Sequence, residues 1–272
     1  MKPAIFDYER PKSLADAVQL LARHDGEAKI IAGGQSLGPM LNMRLAQPKL
    51  LVDVARLPEL KRIEDGKDAV VVGAAITHAA IEDGKVPDPT RGALRAVAAD
   101  IAYRAVRNKG TIGGSLAHAD PSADWLTALS AMDAEASITG PKGTRRVPVA
   151  TLAVSAFETV LGAGEIVDSV RVPRFSDAAR WGFYKFCRKT GEYAEGMCAI
   201  LIDPARGIAR AVLGATHAKP IAVDGIGALL TGGFDAARAG KIVDDNGLGH
   251  DPFERQIHVA ALRRAAAQVA QE

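Results

Sequence analysis

Two short stretches carry the residue types that could do chemistry in this 272-residue chain. One reads Gly33-Gly34-Gln35-Ser36 and the other Thr111-Ile112-Gly113-Gly114-Ser115. Each places a Gly-Gly pair and a hydroxyl residue between regular elements. Glycine lets the backbone take positive φ and lets a ligand approach with no Cβ in the way. Successive backbone N–H groups beside a helix start make an anion site. A Gly-Gly pair taken singly is usually only a tight turn, but two of the same build point to a divided site for a pyrophosphate. Neither matches G-x-G-x-x-G or G-x-x-x-x-G-K-[ST], which disfavours Rossmann dehydrogenases and P-loop enzymes.

The remaining reactive residues narrow the chemistry. The two cysteines, Cys187 and Cys198, cannot ligate an iron–sulfur cluster and form no C-x-x-C pair. They read as reduced thiols of a cytoplasmic protein. His24, His78, His118, His217, His250 and His258 show no metal-ligand spacing. No nucleophile–base pair or carboxylate pair asks for hydrolysis. Lys plus Arg is 34 against 32 for Asp plus Glu, too balanced for a nucleic-acid or anionic-membrane partner. Aromatics at 5% argue against a base-stacking surface. The N-terminus carries no apolar run of signal length, and no stretch is long enough to span a membrane.

The elements that must position these residues follow from pattern. Ser13 is a good N-cap for a helix through His24, with Leu14, Ala17, Val18 and Leu21 on one face. Lys29–Ile31 is a strand running into the first bend, and a helix is predicted over Leu37–Leu45. Leu50–Val54 and Ala69–Ala74 read as buried strands. A long Ala-rich helix is predicted over Thr90–Val106 and another over about Ser122–Met132. Gly140–Gly143 turns a hairpin, and Glu165–Val172 is a strand ending at Pro173. After it come strand-like runs at 181–189, 194–203 and 208–216, then helices at 221–230, 235–239 and 252–270. Strands followed by helices read as a separate α+β unit. The expected division is 1–174, itself two subdomains of about 1–56 and 57–174, and then 175–272.

Ile31-Ala32-Gly33-Gly34-Gln35-Ser36-Leu37, followed by Met40-Leu41-Asn42-Met43-Arg44-Leu45, resembles the first flavin motif of a known family. Thr111 through Asp124 resembles the second. The family is the FAD-binding medium subunit of molybdenum hydroxylases, which includes the carbon monoxide dehydrogenase medium subunit and the xanthine dehydrogenase flavin domain. The resemblance runs from Phe6-Asp7-Tyr8 to the C-terminal helices. It implies an α+β chain, with a vanillyl-alcohol-oxidase/p-cresol-methylhydroxylase-type FAD-binding domain followed by a small domain of antiparallel sheet and helices.

By that resemblance, Ala32, Gly33, Gly34, Gln35, Ser36 and Leu37, with Thr111, Ile112, Gly113, Gly114 and Ser115, would wrap the FAD pyrophosphate and ribityl chain. Ala117 and Asp120 belong to the same second motif. Asp124 matches the family acid that hydrogen-bonds the flavin side chain. Ile101 matches an apolar position near the adenine, and Ile166 and Val167 match the strand near the isoalloxazine. Lys185 matches a cation near the flavin ring, where it would stabilise negative charge on the reduced flavin. Tyr193 matches an aromatic against one flavin face, here preceded by Glu192 where many relatives have Asp. Gln35 stands where some relatives have His, so no acid–base work is assigned to it.

The resemblance also implies division of labour. A large partner would hold the molybdenum–pterin site and a small partner two [2Fe–2S] clusters, in a heterotrimer or its dimer. This chain would carry electrons from the clusters to a terminal acceptor. A stand-alone FAD oxidoreductase ranks lower, because the segment after Pro173 leaves little room for a substrate domain. A flavin-free scaffold conflicts with the intact Gly33, Gly34, Gly113 and Gly114. Gly34→Val is expected to lose FAD, measured as flavin released per chain; full retention contradicts the assignment of this bend to the phosphate.

Overall fold

The computed structural model describes residues 2–24, 26–230 and 233–271. Ser13 caps the helix Leu14–Arg23 as its sequence predicts, its side chain accepting from the Asp16 N–H at 3.1 Å. The buried face, Leu14, Ala17, Val18 and Leu21, packs on a three-stranded parallel sheet. That sheet places Leu50–Asp53 between Asp7–Glu9 and Ala28–Ile31.

A second sheet has five antiparallel strands in the order Ile63–Asp65, Ala69–Gly73, Ile166–Pro173, Glu135–Gly140, Gly143–Pro148. The helices Ala93–Asp100, Ile112–His118 and Asp124–Ala131 share its core, with Trp125 fully buried. A third, four-stranded antiparallel sheet runs Arg180–Phe186, Gly196–Asp203, Ile208–Gly214, Ile221–Asp224. The helix Pro252–Gln271 lies across it. The strand Gly196–Asp203 is buried at every position, because that helix covers one face and Ala131, from the helix Asp124–Ala131, meets Ala199 and Val212 on the other. Hence it lacks the apolar–polar alternation of a one-sided strand.

Several expectations needed correction. The Ala-rich run is two helices, Ala93–Asp100 and Arg104–Arg107. Gly92 is left-handed before the first, and Ala102 takes φ 42° between them. The Arg107 guanidinium donates to the carbonyls of Ile101 and Ala102, both at 3.0 Å, and so serves the broken helix end. The helix after the first bend stops at Asn42. Residues 221–230 split into the edge strand Ile221–Asp224 and the short helix Gly227–Leu230. Ile221 and Val223 turn toward the core while Ala222 and Asp224 face solvent, a period of two. The helix Ile112–His118 was not expected, because its two glycines mask the buried Ile112–Leu116 pair. The helix at 235–239 extends to Asp245.

The long C-terminal helix crosses the third sheet at Gly182, where a Cβ would sit 2.1 Å from the Ala265 carbonyl oxygen. Gly182→Ala is therefore expected to cost about 1–3 kcal/mol of stability by overpacking. Urea unfolding checks it, and an unchanged midpoint contradicts this packing.

Candidate functional site: a cleft between two glycine bends

Both glycine bends open on one cleft of about 1210 Å³. They are in direct contact. A Cβ on Gly33 would lie 2.1 Å from the Lys109 carbonyl oxygen and 2.8 Å from the Gly110 Cα. Glycine at 33 is thus required by the other bend. Gly113 is required in the same way by Ala74, whose Cβ would be 2.3 Å from an added one. Gly34 has different grounds: its φ is +69°, a conformation that strains any side chain. Gly34→Val therefore strains the backbone besides crowding the cleft.

The two bends differ in what they offer. In the second, the Ile112 N–H donates to the Ile76 carbonyl, Gly113 to Ala74, and Ser115 to Thr111. The Gly114 N–H donates to the Thr111 hydroxyl. Its donors are spent on its own fold, and it lines the cleft with Thr111, Gly113, Gly114, Ser115 and Ala117. In the first, the N–H groups of Gly33, Gly34, Gln35 and Ser36 have no acceptor among the described residues. Ser36 makes no side-chain cap either. The Gln35 amide folds back to the Gly33 carbonyl at 2.9 Å. Four consecutive unbonded N–H groups on a cleft wall suit an anionic oxygen cluster such as a pyrophosphate. This donor set fits FAD, with the anion contacts concentrated on the first bend.

The other expected residues fall into three groups. Ala32, Leu37, Ile101, Asp120, Asp124, Ile166, Val167 and Tyr193 line the cleft. Ile166 and Val167 are also core of the N-terminal layer, so their apolar edges form a dry wall. The Asp120 carboxylate accepts from the Ser122 N–H at 2.9 Å, a turn-forming bond. Tyr193 is 70% exposed at the mouth. Ile112 lies outside the lining and is fully buried in the second core. Lys185 also lies outside it. The ammonium is buried and donates to Asp124 Oδ1 at 2.8 Å and to the Asp100 carbonyl at 2.5 Å. Neighbouring Tyr184 turns to the opposite face, where Arg264 sits 4.9 Å over its ring. Lys185 thus ties the third sheet to the cleft wall rather than entering the cleft. Burial pushes the Asp124 carboxyl up, and the Lys185 charge opposes that shift.

Sequence reading missed His78, Tyr103 and Arg107. His78 and Tyr103 line the cleft. Arg107 stands behind it, gripped by Glu82 through bonds of 2.8 and 2.9 Å while it holds the 101–102 loop. Nothing at short range announces these pairings, since Glu82 and Arg107 are 25 residues apart. His118 closes a helix, lines the cleft and packs on Phe157 at 5.1 Å. On the far wall, the Arg145 guanidinium bonds Glu165, holding that carboxylate at about 2. Cys187 and Cys198 are both free.

Comparison with known proteins places this geometry. Residues 4–175 match the family described as the FAD binding domain in molybdopterin dehydrogenase. The chain belongs to that family. It is 41% identical to the 6-hydroxypseudooxynicotine dehydrogenase complex subunit alpha of Paenarthrobacter nicotinovorans, over 74% of this chain and 68% of that one. It is 37% identical to the carbon monoxide dehydrogenase medium chain of Hydrogenophaga pseudoflava, over 74% and 70%. Among solved structures, the reconstituted CO dehydrogenase from Oligotropha carboxidovorans has a chain that superposes with a TM-score of 0.91 at 30% identity. That match covers 100% of this chain and 99% of the other. The chain is thus α+β, built as the FAD-binding oxidoreductase subunits are.

Lys185→Met leaves the Asp124 carboxylate buried and alone. The expected loss is about 3–5 kcal/mol at neutral pH. Without its partner the carboxyl binds a proton more readily, so the loss shrinks as pH falls. Unfolding of the wild type and variant at pH 8 and pH 5 checks both; a loss independent of pH contradicts the pairing. The Glu165 pKa is shifted the other way, but its contribution is also lost toward acid. Its folded pKa is depressed, so its contribution holds above the unfolded value and fades as pH falls toward about 2. Glu165→Gln is expected to remove that acid sensitivity, read from the unfolding midpoint between pH 5 and pH 2.

Proposed function

We propose that this chain is the FAD-carrying, electron-transfer subunit of a multi-subunit molybdenum hydroxylase. The observation that carries the reading is the row of unbonded N–H groups from Gly33 to Ser36 on the cleft wall. FAD, when bound, supplies the redox chemistry by accepting electrons and passing them on. The protein's part is position and environment. The first bend neutralises phosphate oxygens with backbone dipoles. Ile101, Ile166 and Val167 exclude water from the walls. Asp124, its charge balanced by Lys185, presents a carboxylate for hydroxyls of the flavin side chain. Tyr193 stands at the mouth beside any flavin ring there. Gln35, Thr111, Ser115 and Asp120 supply further polar edges, whereas Ile112 serves only to fix the second bend.

Two partners complete the reading: a molybdenum-pterin large subunit where substrate is hydroxylated, and a small subunit with two [2Fe–2S] clusters. A heterotrimer or its dimer is the assembly, in the cytoplasm. The names of the relatives support this, since two of them are a medium chain and a complex subunit. The presence of only two cysteines supports placing the clusters elsewhere. The division into 1–174, with subdomains of about 1–56 and 57–174, and 175–272 is supported by the three larger sheets, one of which lies in each segment.

The visible spectrum of the purified full chain tests the reading. Flavin bands, with FAD released at about one per chain, are the expected result. A colourless chain that takes up no added FAD overturns it.

A further inference from the structure

His78 opens the short helix His78–Glu82, which Thr77 caps by accepting from the Ala80 N–H. The His78 N–H donates to the Gly110 carbonyl at 2.9 Å. The side chain is fixed from behind by Trp125, whose Nε1 lies 3.0 Å from His78 Nδ1. An indole nitrogen can only donate. His78 Nδ1 must therefore be the acceptor, and the ring proton sits on Nε2. The residue as a whole is only 5% exposed, but Nε2–H, which has no acceptor among the described residues, is not sealed in and faces the cleft that His78 lines. An N–H donor held at a cleft wall with no protein acceptor is available to a ligand oxygen.

The donor's surroundings are the join between the two bends. A Cβ on Gly110 would lie 2.8 Å from both His78 Cδ2 and His78 Nε2. The same Gly110 Cα would lie 2.8 Å from a Cβ on Gly33. The imidazole edge, Gly110 and the unbonded N–H groups of the first bend thus form one continuous wall of the cleft.

We propose that His78 is a cofactor-binding residue whose Nε2–H donates to an oxygen acceptor of bound FAD where the two bends meet. The inference rests on the reading of the cleft as the FAD site. Trp125 acts through His78 as a positioning residue, because it selects the tautomer. The imidazole stays neutral in this role: burial, with the Arg107 charge adding to it, lowers its pKa to about 4. A neutral donor recognises a phosphate or hydroxyl oxygen without adding a charge to the wall. A protonated ring would lose the lone pair that Trp125 needs.

The test uses the full chain labelled with 15N-histidine, freed of flavin, then titrated with FAD. Long-range proton–nitrogen spectra are expected to show His78 protonated on Nε2 at pH 7, and its Nε2–H resonance is expected to shift on FAD addition. His78→Leu is expected to weaken FAD binding about 10-fold, the worth of one hydrogen bond, by flavin fluorescence. His78→Gln, which keeps an N–H donor, is expected to recover part of that loss. If FAD binds the wild type while the His78 resonance stays fixed, or if His78→Leu keeps full affinity, the inference fails and the FAD reading stands. If the wild type takes up no FAD, both fail. If His78→Leu does not fold, the wild-type spectra decide.

Discussion

The approach of Gly33 to the Lys109–Gly110 backbone sets the rest of the site. The contact is closer than any side chain permits, since an added Cβ would fall 2.1 Å from a carbonyl oxygen. It brings the turn after the parallel sheet against the loop before the helix Ile112–His118. The cleft exists because these two bends touch at their bases and diverge above. One bend spends its N–H groups on the fold and the other keeps four of them unbonded. This asymmetry separates structural work from ligand work within two segments that look alike in sequence.

Charge is arranged around the same cleft on the protein side of its walls. Lys185 meets Asp124 from the third sheet, and Arg107 meets Glu82 behind the 101–102 loop. Both pairs hold segments that line the cleft. The Lys185–Asp124 pair is buried, and such a pair destabilises when one partner is removed, so it fixes its part of the wall firmly. The ammonium of Lys185 reaches the cleft only through Asp124, which makes it a support for the carboxylate.

Much of this was legible in the chain. The bends were readable as a pair, because a single Gly-Gly turn is common but two of the same build point to one divided site. The capped helix at Leu14–Arg23 and the hairpin at Gly140–Gly143 were readable from local rules. What was not legible depended on partners distant in sequence. The Ala-rich run breaks at Ile101–Tyr103 because Arg107 and Lys185 bond the carbonyls of residues 100–102. Ile221–Asp224 is a strand because an open sheet edge waits beside it. Lys185 looked like a cleft residue by its match to the family, but alternation along its strand turns it toward Asp124. Position in a motif thus identifies the neighbourhood of the cofactor, and only packing says which atoms face it.

Hydrogen exchange at single-amide resolution, on the flavin-free chain with and without added FAD, tests the central claim most directly. The account predicts that the amides of Gly33, Gly34, Gln35 and Ser36 exchange fast without FAD and become protected with it. Those of Ile112, Gly113, Gly114 and Ser115, already bonded within the protein, should be slow in both states. Protection confined to the second bend, or no change at the first, would contradict it.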